Sequence, residues 1–220
     1  MTMACFFIVT ILWIFSVCLH EFGHAIVAYY GGDTSVREKG YLTFNPLKYT
    51  HPVYSLLMPV IFMMLGGIGL PGGAVYIERD RLRSRQWETA VSLAGPAMNV
   101  LWVLALCLPF WTHLIPTESA SLPAISLGFL IRLEISAVLF NLLPIPPLDG
   151  FQAISPWLPE ETRSRLMAQS NLFLGCLILI MWNVTAVNEA FWTIVSSITQ
   201  TLNVDPRLAW AGWREYQFWR

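Results

Sequence analysis

Charge is what this sequence has least of. Asp, Glu, Lys and Arg together supply 12% of its 220 residues, about half the share of an ordinary soluble domain. Hydrophobic residues reach 55%, and that balance points to a lipid bilayer. A net charge of −1 gives no global field to gather nucleic acid or an acidic substrate. Cysteine is also sparse. Cys5, Cys18, Cys107 and Cys176 each lie in an apolar stretch and none forms a C-x-x-C pair. Neither a disulfide framework nor a thiolate zinc site is indicated, and all four read as buried small hydrophobes. No lysine or arginine precedes Arg37, so the opening apolar stretch lacks the basic region of a secretory signal and is expected to be retained. Internal repeats and low-complexity linkers are missing too. One membrane-embedded domain over residues 1–220 is expected.

The fold class this implies is an all-α polytopic membrane protein, a bundle of about four to six helices by bilayer-length reasoning. Residues 3–30 read as one helix, apolar to Leu19 and stopped by Gly31-Gly32. Residues 52–70 are apolar but carry Pro59 at their centre and Gly66, Gly67 and Gly69 at their end. Ala74–Ile77 is a short strand candidate. Helices are expected over 87–111 and 122–143, the second running into Pro144-Ile145-Pro146-Pro147-Leu148-Asp149-Gly150. Residues 159–169 suggest an amphipathic surface helix. Residues 171–202 fit either one long span or a hairpin. The tail, with Trp210, Trp213, Tyr216 and Trp219 among Arg214 and Arg220, has the composition of a membrane interface.

The chemistry sits in His20-Glu21-Phe22-Gly23-His24. Two histidines four apart on a helix face the same way and can grip one metal ion. Glu21 lies at the edge of that face, placed to act as a base on water activated by the metal. A chance H-E-x-x-H on a polar helix surface is a poor account of a motif at the end of an apolar span, where each charged group costs about 2.5–3.5 kcal/mol on insertion scales. Catalytic zinc takes three protein ligands and leaves one position open. The third can come from Asp149, His51, His113, Glu134 or the acidic residues of 78–88. Asp149 is best placed, because consecutive prolines stop its helix, and broken backbone at membrane depth survives only where it lines a cavity. His51 reads more simply as a solvated or interfacial histidine.

If His24 and Asp149 meet at one metal, their spans run in the same direction, with 87–111 as the antiparallel partner. The stretch 31–86 then begins and ends on one side, so 52–70 should dip into the membrane and return. Charge agrees independently. Arg37, Lys39, Lys48, Arg79, Arg81, Arg83 and Arg85 fall in 31–86, Arg163 and Arg165 in 144–169, and none in 112–121. By the positive-inside rule the metal end faces the cytoplasm.

Three segments carry a resemblance to the site-2 protease family of intramembrane zinc metalloproteases: His20–His24, the Leu93–Asn99 run with Gly95-Pro96, and Phe140–Gly150, F-N-L-L-P-I-P-P-L-D-G. Leu42–Leu47 looks like the compact members that lack PDZ or CBS modules. The resemblance implies one Zn2+ per chain on His20, His24 and Asp149, Glu21 as the catalytic base, and Asn99 as a substrate-binding residue. It also implies cleavage of a peptide bond in or near the transmembrane segment of a membrane-protein substrate, in the cell membrane, with lipid as the other partner and no role for nucleic acid. The competing expectation is an inactive membrane scaffold or a zinc carrier on the same fold. Compact relatives usually have a histidine and an aspartate after the Asn-Pro-Leu run, where this chain has Tyr49 and His51. Glu134 stands where an uncharged polar residue is more usual, seven residues before Asn141 on the same face. It reads either as support for the metal site or as a partner of Arg132.

Overall fold

A computed structural model describes residues 2–45, 48, 75–116 and 120–219. Three helices in it are long and apolar enough to cross a membrane. They belong to α1 (Thr2–Gly31), α3 (Arg85–Trp111) and α4 (Leu122–Asn141). Between them lie the short α2 (Ser35–Glu38) and a 3-10 turn at Arg79–Arg81; beyond them come α5 (Asp149–Ile154), α6 (Glu160–Ala168), α7 (Ser170–Asn183), α8 (Thr185–Thr201) and α9 (Pro206–Tyr216).

Each long helix starts and stops where local chemistry allows. Pro123 opens the first turn of α4, where a missing N–H is no loss. The prolines after Leu143 prevent its continuation. α4 has no polar stripe and is the most buried of the three, as a central helix should be: 72% of its membrane-length window is buried, against 39% for α1 and 44% for α3. The main core gathers Val9 and Trp13 of α1, Val103 and Phe110 of α3, Phe129 and Leu133 of α4, and Leu208 and Tyr216 of α9. It fills the half of the bundle around the start of α1. α9 is tied there by Cys5 Sγ donating to the Gly212 carbonyl at 3.6 Å and by Thr10 Oγ1 to Tyr216 Oη at 3.4 Å.

α6 and α7 form a bent pair, 60° apart, which makes a fourth span if counted together. Leu174 of α7 lines the cavity at the far end of α1, whereas Leu202, just past α8, accepts a bond from Trp111 Nε1 at the end of α3. The stretch 170–202 therefore traverses the bundle once, in two helices joined at Val184.

Two expectations need correction. Among the described residues there is no strand, and Val75–Ile77 carries no regular structure. Its backbone donors explain why: Val75 N–H goes to Glu21 Oε2 at 3.0 Å, and Glu78 N–H to Asp33 Oδ2 at 2.8 Å. Side-chain carboxylates take the bonds a neighbouring strand would have taken. Cys5, Cys18 and Cys107 are buried and free, but Cys176 is exposed. The expected re-entrant segment 52–70 lies outside the described residues, as does His51.

Candidate active site

His20 and His24 occupy the last turns of α1, both buried, with Glu21 buried beside them. α4 runs parallel to α1 and delivers the chain to the break at 142–148, after which Asp149 opens α5. The first ligand-type atoms of three residues then converge. His20 Nε2 lies 3.0 Å from His24 Nε2 and 3.2 Å from Asp149 Oδ2, and His24 Nε2 lies 3.5 Å from Asp149 Oδ1. Tetrahedral zinc with bonds of about 2.0–2.2 Å has ligand–ligand edges near 3.4 Å, so these separations fit one ion.

Hydrogen bonding makes the same point. His24 Nδ1 lies 2.7 Å from the Val91 carbonyl, which only accepts, so Nδ1 carries the proton. His20 Nδ1 lies 3.0 Å from Asn99 Oδ1. A ring that is neutral, as a metal ligand must be, and protonated at Nδ1 presents a bare Nε2 lone pair, and both Nε2 atoms face each other and a carboxylate. Asp149 Oδ2 is buried with no hydrogen-bond partner. Three electron pairs packed this closely call for a cation among them.

Two glycines make the geometry possible. A Cβ on Gly95 of α3 would fall 2.3 Å from His24 Nε2 and 2.7 Å from His20 Nε2. A Cβ on Gly150 would fall 2.1 Å from the Leu142 carbonyl oxygen, so only glycine lets α5 turn back this tightly. α5 is braced from α3 by Thr89 Oγ1 donating to the Ala153 carbonyl at 2.7 Å. Arg79 Nη2 donates to Gln152 Oε1 at 2.6 Å.

Among the described residues, His20, His24 and Asp149 are the group that could hold a metal. The other candidates are engaged elsewhere. His113 is exposed at the opposite end. Glu78 pairs with Lys39 at 2.8 Å, which holds its carboxyl below the ordinary value, and Glu88 lies 3.5 Å from both Arg79 and Arg163. Glu134 does not meet Arg132, whose guanidinium sits 4.4 Å from the Trp192 ring centre. It accepts instead from Asn99 Nδ2 at 3.0 Å. Asn99, for which the resemblance implies a substrate contact, has both ends of its amide hydrogen-bonded, to His20 and to Glu134.

The three ligand-type residues and Glu21 open onto a cavity of about 540 Å3, also lined by Tyr76, Arg79 and Asn141. Sequence reasoning gave no role to Asn141, although it stands in the quoted F-N-L-L-P run. It likewise missed the Val91 carbonyl, Val75 and Gly95 as site-forming groups.

No protein-family model matches the chain, and no solved structure matches it. Curated relatives do. The chain is 43% identical over 218 residues to Rip2 of Mycolicibacterium smegmatis, covering 97% of this chain and 81% of that protein. It is 40% identical over 207 residues to Rip2 of Mycobacterium tuberculosis strain H37Rv, covering 94% and 78%. YwhC of Bacillus subtilis is 31% identical over 179 residues, covering 76% and 77%. All three bear names of zinc metalloproteases.

Proposed function

The chain belongs to the site-2 protease family of zinc metalloproteases, and on that footing we propose that it hydrolyses a peptide bond in or near the transmembrane segment of a membrane-protein substrate. The observation that carries this reading is the convergence of His20, His24 and Asp149 at 3.0–3.5 Å, beside Glu21, at the end of a membrane-length helix. His20, His24 and Asp149 hold zinc. When bound, zinc supplies Lewis acidity, polarising a carbonyl and making water a better proton donor near neutral pH. Glu21 is the base: it takes the proton from water and returns it to the leaving amine. The Val75 N–H at 3.0 Å fixes one oxygen of that carboxylate, leaving the other for proton transfer.

A substrate helix has its own amides and carbonyls already paired, and lipid withholds water. The broken backbone at 142–148 and the 540 Å3 cavity support a site that admits both water and an unwound strand. Asn141 lines that cavity, and its side chain makes no hydrogen bond among the described residues, which suits it to hold substrate backbone. The distribution of lysine and arginine supports a cell-membrane location with the metal end towards the cytoplasm.

The test is to purify wild type and Glu21→Gln with zinc bound, and to offer each a single-span membrane substrate in lipid vesicles. The expected outcome is equal zinc content and cleavage lower by about 10²–10⁴-fold in the variant. Equal cleavage by both proteins would sink the mechanism, and loss of zinc from Glu21→Gln would reassign Glu21 to the metal.

A further inference from the structure

Glu134 takes no part in the chemistry above, yet it is fully buried at membrane depth, where an ionisable group is costly and usually functional. An ion pair does not account for it. Arg132, the basic residue nearest in sequence, packs against Trp192 at 4.4 Å and Trp210 at 5.9 Å. What Glu134 does touch is the amide behind a ligand. Its Oε2 lies 3.0 Å from Asn99 Nδ2, and Asn99 Oδ1 lies 3.0 Å from His20 Nδ1. The same Nδ2 is 3.4 Å from Ser16 Oγ.

We propose that Glu134 is a positioning residue that fixes the tautomer of His20 through Asn99. A carboxamide can be turned end for end with almost no change of shape. With Oδ1 towards His20, the ring must donate from Nδ1, and Nε2 keeps its lone pair for the metal. With Nδ2 towards His20, Nδ1 must accept, the ring proton moves to Nε2, and that nitrogen cannot ligate. Glu134 breaks the tie, because its oxygen accepts and so claims the NH2 end. The Ser16 hydroxyl donates or accepts equally well and cannot choose. His24 needs no such device, since the Val91 carbonyl at 2.7 Å only accepts. The chain from carboxyl through amide to imidazole does in two steps what a carboxylate placed directly on a ligating histidine does in one.

The inference rests on His20 as a zinc ligand, the reading proposed above. Its test measures zinc affinity of the purified full chain by competition with a chelator. Glu134→Leu is expected to weaken zinc about 10–100-fold. Glu134→Gln, whose carboxamide can show Asn99 either its oxygen or its NH2, keeps the bond but no longer breaks the tie, and is expected to weaken zinc less than Glu134→Leu. A lone leucine strands a buried amide and endangers folding, so the decisive variant is Asn99→Asp/Glu134→Leu. Aspartate shows His20 an acceptor whichever way it turns, and wild-type-like affinity is expected to return. Wild-type affinity in Glu134→Leu, or failure of the double variant to recover zinc, would each overturn the inference. A wild-type chain that binds no zinc would instead overturn the function proposed above.

Discussion

At the scale of single residues, the site tolerates almost no added volume. The Cβ that alanine would bring to position 95 falls 2.3 Å from one ligand nitrogen and 2.7 Å from the other, and it is borne by a helix that cannot yield without disturbing α1. Gly95→Ala is expected to lower zinc affinity on the order of 100-fold or more while leaving the bundle folded. Zinc content by atomic spectroscopy, alongside thermal unfolding of the metal-free protein, checks this; a zinc-replete Gly95→Ala would show that the ligands have room the geometry denies them. The same scale shows what a sequence can and cannot reveal. His20, Glu21 and His24 are legible because one helix turn relates them. Asp149 is legible because prolines announce a break at membrane depth. The bond from Asn99 to His20 spans 79 residues and depends on the rotation of α3 about its axis, which no local pattern fixes. That is why the resemblance implies only a substrate contact at Asn99, while its hydrogen bonds to His20 and Glu134 emerge from the fold.

At the scale of elements, two short pieces carry the site and should fail differently. α5 sets Asp149, and its tight return depends on Gly150, where a Cβ would meet the Leu142 carbonyl oxygen at 2.1 Å. Gly150→Ala is expected to shift α5 and release zinc. The segment 75–78 sets Glu21 instead. Asp33, fully buried, accepts from Ser35 Oγ at 2.6 Å and from Glu78 N–H at 2.8 Å. Lys39 adds bonds to Glu78 Oε1 at 2.8 Å and to the Tyr76 carbonyl at 3.3 Å. Asp33→Ala strands those donors at a cost of about 1–3 kcal/mol and frees the segment. Cleavage should fall while zinc stays bound, because every ligand lies elsewhere, and limited proteolysis should open near residues 75–83. Zinc loss from Asp33→Ala, or zinc retention in Gly150→Ala, would show the division of labour to be misread. The sequence suggests a strand here because Ala74–Ile77 is a short apolar run after Pro71-Gly72-Gly73, but the carboxylates that claim the N–H groups of Val75 and Glu78 are 54 and 45 residues away.

At the scale of the whole molecule, the packing gives the bundle two unlike ends. α1 and α4 run towards the metal, α3 runs away from it, and α7 with α8 returns to the side where α9 packs against the start of α1. Arg37, Lys39, Lys48, Arg79, Arg81, Arg83, Arg85, Arg163 and Arg165 belong to connections at the metal end. Among the described residues the far end has Arg207 and Arg214. The asymmetry deduced from the order of segments therefore survives once α9 is placed, although α9 brings basic residues to the opposite face. On the positive-inside rule, the orientation proposed above puts the metal end in the cytoplasm. With Cys176, the exposed native thiol, replaced by serine, a cysteine at Thr112 should react with a membrane-impermeant maleimide in intact cells. A cysteine at Ser164 should react only after the membrane is permeabilised. The reverse pattern would turn the protein over in the membrane, and it would mean that substrates meet Glu21 from the outer side.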